Sequence, residues 1–493
     1  MDLHIGLSGR GLADQIYRQI RAAILDGRLR PGEALPSTRE LASRLSVSRN
    51  TVCTAYDRLV AEGYLCARAG ARTYVSDGIR TSLGDRPRPA ASAVQPRTVW
   101  AAQPEPLDMS IPDEAYDFRP GVPDSRGFPF ATWRALLADT LRASTAMTTS
   151  YGDPAGHPEL RQAIARHIGV SRAVRVAADD VLVTSGIQQA LDLIGRVLIE
   201  PGDVVAVEDP GWLPARSLFQ TLGAQVVGVR VDAEGLVVAD LPARARMVYV
   251  SPSHQFPIGV AMSLPRRLDL LAWAERTGAV VVEDDYDSEF RYAGRPLEPL
   301  HSLDQSARVV YVGSFSKTLL PSLRMGFCIP PPSLFPALRK AKYLLDWHTA
   351  LPLQAALATF IDRGLLARHI RRMRRVYQDR RDRLYAALHR HFADVLDPLP
   401  SVAGLHLGAR LLDQHVDDRA VVDRAAAAGV HLPPWSDFAM NRPVSRGLLI
   451  GYGRIPADRI EDGLAVLRQC LDSVRRGSTV RVRNQVPAAV TNS

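Results

Sequence analysis

Lysine is nearly missing from this chain. Of its 61 basic residues only Lys317, Lys340 and Lys342 are lysines, and all the others are arginines. A guanidinium cannot lose its proton inside a protein, whereas a partly buried ammonium can, so a chain this depleted keeps lysine where a neutral amine is needed. Cysteine is scarce too. Cys53, Cys66, Cys328 and Cys470 stand far apart without paired ligand spacing, which argues against a disulfide framework and implies no metal site. No apolar stretch approaches the length that spans a bilayer, and Met1–Arg10 lacks the charged start and apolar run of a secretion signal. The expected location is therefore the cytoplasm. Aromatic residues are only 6% of the 493, yet 46% hydrophobic content leaves ample material for two or three cores. The net charge of +9 suits a phosphate-bearing partner, although charge alone speaks to non-specific attraction and not to function.

One segment breaks the chain in two. From about 77 to 115 the sequence strings together Arg-Pro-Arg-Pro, Gln-Pro-Arg and Gln-Pro-Glu-Pro with no apolar period, as an extended linker does. Before it, residues 1–76 carry eleven arginines against seven acids. After it, over 116–474, short apolar runs alternate with helix-length intervals: Asp180-Val-Leu-Val-Thr, Asp203-Val-Val-Ala-Val, Met247-Val-Tyr-Val, Ala279-Val-Val-Val and Val309-Val-Tyr-Val. Continuous runs of this kind predict an α/β domain around a mainly parallel sheet buried on both faces. Residues 475–493 are polar and basic without a periodic face, and are expected to be a disordered tail.

In the first segment Leu12, Ile16, Ile20 and Ile24 recur every fourth residue, predicting a helix that stops at Gly27. A second helix begins at the capping box Ser37-Thr-Arg-Glu40, and a third begins at Ser48 after the short turn Leu45-Ser-Val47. The hairpin pattern Gly63 to Val75 completes a winged helix-turn-helix. Arg49, Asn50 and Thr51 then sit at the helix end that would enter a major groove, Arg39 could hold a phosphate, and Arg68 and Arg72 lie in the wing, while the helix pattern alone fits a small protein-interaction domain with solvated arginines equally. The runs Leu-Pro-Ser-Thr-Arg-Glu-Leu-Ala and Val-Ser-Arg-Asn-Thr-Val, with Glu62-Gly63 leading into the wing, resemble the GntR family of DNA-binding domains over residues 12–76. The wing departs from that family's Gly-x-Gly-Thr, reading Gly70-Ala-Arg72-Thr73.

The second segment holds, in order, what pyridoxal phosphate asks of a protein: a phosphate cradle, a face for the ring, a carboxylate for the pyridine nitrogen and a lysine for the aldehyde. Thr184-Ser-Gly186-Ile-Gln188 follows a strand and opens a helix, so its amides suit a phosphate. Trp212 follows the next strand and offers an indole. The acids of Val280-Val-Val-Glu-Asp284-Asp285-Tyr286-Asp287 end a buried strand, an expensive arrangement without a cation. Asp284 is the first choice to meet a pyridinium, with Tyr286 reaching the phenolic oxygen, and strand alternation leaves Asp285 as the alternative. Lys317, flanked by Ser314, Ser316 and Arg324, is the candidate Schiff-base lysine, with hydroxyls and a guanidinium for the phosphate.

Residues from about 116 to 472 resemble the fold type I, class I aminotransferases, with Asp284, Tyr286, Lys317 and Arg324 on that family's pattern. The resemblance implies a smaller C-terminal α/β subdomain after the sheet. Tyr151 lies in a segment similar to the one whose tyrosine reaches the phosphate of the other subunit, which implies a homodimer. A GntR-like reader joined to such a domain is the architecture of the MocR subfamily. It implies a transcriptional regulator that binds double-stranded operator DNA and senses an amino compound or pyridoxal phosphate itself through Lys317. The alternative is a working aminotransferase with an accessory DNA-binding domain. Two departures bear on that choice. Where aminotransferases have Asn-Pro-x-Gly this chain has Phe256-Pro-Ile-Gly, with Gln255 as the substitute. Leu449 stands in the place of the arginine that pairs with a substrate carboxylate, leaving Arg446 or Arg454 to compensate. Finally, the arginine-rich stretch 363–383 reads as an amphipathic helix with a solvated charged face, not as a nucleic-acid patch.

Overall fold

The computed structural model describes residues 5–68, 72–77, 95–105, 115–142, 150–294, 298–440 and 445–483, with backbone only at residue 68 and at 477–483. The chain forms two compact units, Met1–Arg97 and Thr98–Ser493, divided inside the segment expected to be linker. Within that segment Thr98–Trp100 make a turn of 3-10 helix that belongs to the second unit.

The first unit is three helices and a hairpin: α1 (Leu12–Leu25), α2 (Thr38–Leu45), α3 (Arg49–Ala61), β1 (Leu65–Arg68) and β2 (Arg72–Val75). Its core is what the four-residue repeat foretold. Ile16, Ile20 and Ile24 are fully buried against Leu41, Val52, Leu59 and Val75. Ser37 and Ser48 cap α2 and α3, each hydroxyl accepting a backbone N–H of the first turn, from Glu40 at 3.2 Å and from Thr51 at 3.1 Å. The strands pair antiparallel with Arg68 opposite Arg72. Gly70 at the wing tip lies outside the described residues.

The second unit opens with β3 (Tyr116–Asp117) and centres on an eight-stranded sheet: β4 (Leu182–Thr184), β5 (Val204–Asp209), β6 (Gln225–Asp232), β7 (Gly235–Leu236), β8 (Ala245–Val250), β9 (Val280–Asp285), β10 (Val309–Ser314) and β11 (Gly326–Ile329). The spatial order is β4-β11-β10-β9-β8-β5-β6-β7. Pairing is parallel from β10 through β6, while β11 runs antiparallel to both β10 and β4, and β7 antiparallel to β6. Strands β5, β9 and β10 are buried at every residue, as continuous apolar runs require. Strands β6, β7 and β11 have no such run and were not anticipated. A smaller lobe follows, with the three-stranded sheet β12 (Leu396–Pro398), β13 (His406–Leu411) and β15 (Gly447–Gly451), and with β14 (Val430–His431) pairing β3.

Two features of the helices settle sequence expectations. The arginine-rich stretch lies in the helix Leu365–His391, which buries Leu366, Met373, Tyr377, Leu384 and Leu388 and leaves Arg371 and Arg374 in solvent. The last helix, Ile460–Arg483, runs past Arg475, which corrects the expected start of a structureless tail. Its apolar anchors, Leu464, Leu467 and Leu471, fix the first turns, and each further residue adds a backbone hydrogen bond without another nucleus having to form. Residues 484–493 lie outside the described set.

Candidate functional site

Strands β4, β5, β8, β9 and β10 all point the same way, so their carboxyl ends share one edge of the sheet, the place where open α/β sheets bind ligands. Each cofactor candidate of the second segment except Tyr151 and Arg324 stands at or just beyond one of those ends, whereas Arg446, Leu449 and Arg454 lie in or beside β15. Lys317 follows β10 by three residues. Its Nζ donates to the carbonyl of Gly121 at 2.7 Å. Burial lowers the pKa of this amine, while Asp287 and Asp284 push it back up and Arg324 lowers it. Gly121 has φ +68°, a backbone conformation that favours glycine, and a Cβ on it would stand 2.9 Å from Nζ.

The acid cluster separates by strand alternation. Asp285 turns to a buried pair, accepting from Arg172 Nε and from the Tyr311 hydroxyl, both at 2.6 Å. Asp284 points the other way, on the face shared with Val282 and Val312. Its Oδ2 accepts from the Tyr249 hydroxyl at 2.5 Å, and its Oδ1 is buried without a partner. Burial pushes this carboxyl up to about 7, with Asp285 and Asp287 adding to the rise and the Tyr249 bond and Lys317 opposing it. Glu208 at the end of β5 is also raised by burial to about 7, held by Ser251 on one oxygen and unpartnered on the other. Two buried carboxyl groups with an oxygen to spare make a place for a cation or an N–H donor.

A second cluster lies between the ends of β4 and β10. Gly186 caps the helix Ile187–Leu198 with φ +80° and no side-chain bond, so the amides of the first turn keep their capacity for an anion. A Cβ at Gly186 would sit 2.8 Å from Arg324 Nη2, which donates to the Ser185 carbonyl at 3.1 Å. Ser314 is buried and accepts the Ser316 amide at 3.0 Å, and Gln188 lies half-buried in the first helical turn. Trp212 opens the helix Leu213–Thr221 with its ring 6.4 Å from that of Tyr249, the partner of Asp284. Tyr286 is buried, and its hydroxyl donates to the His254 carbonyl at 2.9 Å.

Tyr151 is 72% exposed and stacks on Trp347 at 4.2 Å. Two expectations change on inspection. Gln255 is committed elsewhere, its amide donating to the carbonyls of Pro210 and Phe256 and to Glu208, so it is spent on the loop. Leu449 is fully buried in β15, Arg454 pairs with Asp117 at 3.2 Å, and Arg446 is half-buried and bonded to the His415 carbonyl. Each arginine already has a partner of its own. Sequence reasoning missed Gly121, Tyr249, Glu208, Arg172 and the pair His254 and Asp287. Only the last two carried a signal, since they stand beside residues already singled out.

In the first unit Arg39, Arg49 and Asn50 are exposed, and Thr51 bonds the Ser48 hydroxyl at 2.7 Å. Arg49 Nε reaches the Thr38 hydroxyl at 3.4 Å, bringing the starts of α2 and α3 together in one basic surface. Arg72 is exposed on β2, opposite Arg68.

Comparison with known proteins places both units. The family of aminotransferases of class I and II matches residues 121–447, and the gntR family of bacterial regulatory proteins matches residues 12–75. The probable rhizopine catabolism regulatory protein MocR of Rhizobium meliloti is 40% identical over 461 residues, 92% of each chain. The HTH-type pyridoxine biosynthesis transcriptional regulator PdxR of Corynebacterium glutamicum is 32% identical over 97% of this chain and 99% of its own. Among solved structures, kynurenine aminotransferase of Pyrococcus horikoshii superposes with a TM-score of 0.68 at 30% identity, over 73% of this chain and 91% of its own. The α-aminoadipate aminotransferase LysN of Thermus thermophilus, complexed with N-(5'-phosphopyridoxyl)-L-leucine, gives 0.68 at 29% identity, over 74% and 94%.

Proposed function

The chain belongs to the MocR-type regulators, in which a GntR-type reader precedes an aminotransferase class I and II domain, and from that premise we propose that it is a DNA-binding transcriptional regulator holding pyridoxal phosphate at Lys317. The observation that carries the reading is the buried, unpartnered Oδ1 of Asp284, a carboxyl group whose charge acts on the buried Lys317 amine. A protonated pyridine nitrogen fits that oxygen and relieves the cost of a buried anion. The residues present fit the rest of the group as well. Gly186, Gln188, Ser314, Ser316 and Arg324 would hold the phosphate, Trp212 would face the ring and Tyr286 would meet the phenolic oxygen. Each of Asp284 and Asp285 keeps one buried oxygen without a partner, but Asp285 is already paired with the Arg172 guanidinium and the Tyr311 hydroxyl, so Asp284 is the proposed nitrogen partner.

Once bound, the cofactor supplies an aldehyde that exchanges one amine for another. The protein's part is to orient and to sense. Lys317 offers its amine, the Gly121 carbonyl fixes its direction, and an arriving amino compound competes for the position the lysine holds. Such competition, or the arrival of pyridoxal phosphate itself, alters DNA affinity only if the effector binds two arrangements of the chain unequally. Arg39, Arg49, Asn50 and Thr51 read the operator, with Arg68 and Arg72 on the adjacent backbone or minor groove. The protein acts in the cytoplasm as a homodimer, in which the exposed Tyr151 serves the partner's phosphate. Lys317→Ala should abolish a visible cofactor band in otherwise folded protein; a surviving band overturns the assignment.

A second reading, a working aminotransferase with an accessory reader, is favoured by the completeness of the cofactor residues. Leu449 speaks against it, standing where the resemblance places the arginine for a substrate carboxylate. Sustained keto-acid production at ordinary enzyme rates decides for the enzyme, and slow half-reactions alone decide for the sensor.

A further inference from the structure

Behind Tyr286 lies a buried polar cluster that the reading above does not use. His254 and Asp287 are each 2% exposed and His406 is 0%. His254 Nδ1 faces both oxygens of Asp287, at 3.0 and 3.2 Å. The same nitrogen lies 3.1 Å from the Tyr286 hydroxyl, whose proton goes to the His254 carbonyl. On its far side His254 Nε2 meets the Ser401 hydroxyl at 3.3 Å, and that hydroxyl donates to the Ala403 carbonyl at 2.8 Å. The backbone is shaped around the pair. Gly404 has φ +82°, and a Cβ there would collide with the imidazole and with Asp287 Oδ2, at 2.1 and 2.5 Å. No side chain larger than hydrogen fits, so the fold keeps this space for the histidine and the carboxylate together.

We infer that Asp287 and His254 form a positioning dyad for the cofactor pocket, Asp287 holding the His254 imidazole and His254 fixing the Tyr286 hydroxyl. The inference rests on the reading of Lys317 and Tyr286 as cofactor residues. The charges that face the lysine are Asp287, Asp284 and Arg324, and among them Asp287 raises the amine's pKa most strongly. His406, stacked near His254 with ring centroids 4.7 Å apart, is kept neutral by burial and adds no charge. The ligand atoms of His254, Asp287 and His406 also lie within 4.8 Å of one another, a spacing that can hold a metal ion. Both nitrogens of His254 are already hydrogen-bonded, which favours the dyad.

The test titrates the visible cofactor band of the full-length protein with pH. A band in the wild type that disappears in Lys317→Ala establishes the underlying reading first, so its failure is seen separately. Asp287→Asn is expected to lower the titration midpoint by at least one pH unit, because removing a negative charge destabilises the cation, and Asp287→Glu is expected to restore most of it. An Asp287→Asn midpoint equal to wild type, whatever happens to thermal stability, overturns the role of Asp287. If Asp287→Asn does not fold, a second pair decides: His254→Asn should shift the band in the same direction as Tyr286→Phe, and the double variant should add nothing further. Additive or opposite shifts overturn the dyad. So does one zinc ion per chain whose removal by chelator reproduces the shift.

Discussion

Asp284 is a carboxyl group placed where its charge is costly, and that cost is measurable. Its folded pKa, about 7, lies above the roughly 4 of an exposed aspartate. The folded protein therefore holds a proton that the unfolded chain releases, and the stability this brings is complete below about pH 4 and lost as pH rises through about 7. Glu208 acts with the same sign. The cofactor-free protein should melt about 1–3 °C lower at pH 8 than at pH 6, and Asp284→Asn should flatten that slope. An unchanged slope in the variant contradicts the assignment. At this scale the sequence revealed residue types but not directions. It brought Asp284 and Asp285 forward together, because alternation along a strand says that two neighbours diverge without saying which faces the lysine. Tyr249 and Arg172 made the choice, and they come from a different strand and a distant helix. Gly121 was illegible for the same reason, being 196 residues from the amine it accommodates.

Helices and strands were more open to reading, where their own residues determine them. The caps Ser37 and Ser48 and the repeat Ile16, Ile20, Ile24 are local signals, and the first unit follows them. Ser48→Ala should destabilise that unit by about 1 kcal/mol, read from its denaturant transition, since the first turn of α3 loses its hydroxyl acceptor. In the helix Leu365–His391 the buried and solvated faces predict opposite outcomes. Met373→Ala should cost about 2–5 kcal/mol, whereas Arg371→Ala with Arg374→Ala should leave operator affinity within about twofold. A large loss of DNA binding in that double variant contradicts the reading of a solvated face. Strand β6 escaped prediction because only Val229 in it is fully buried, so its sequence never forms a continuous apolar run. Strand β11 escaped because four residues are too few to show a period.

At the scale of the whole molecule, the exposed Tyr151 supplies a test of the homodimer. A Tyr151→Ala chain and a Lys317→Ala chain should each bind the cofactor poorly or without its band. Mixed dimers should regain one complete site, because Lys317 from one chain meets Tyr151 from the other. Recovery of the band on mixing supports the shared site, and no recovery confines Tyr151 to its stack on Trp347. The central claim is that one chain couples the amine chemistry at Lys317 to the reading of DNA by α3. Its most direct measurement is the affinity of the full-length protein for its own upstream DNA, with and without pyridoxal phosphate and across a panel of amines. The account predicts that affinity changes with the cofactor or an amine in the wild type, is indifferent to both in Lys317→Ala, and is lost in Arg49→Ala. Affinity that is the same under every ligand condition in the wild type would contradict it.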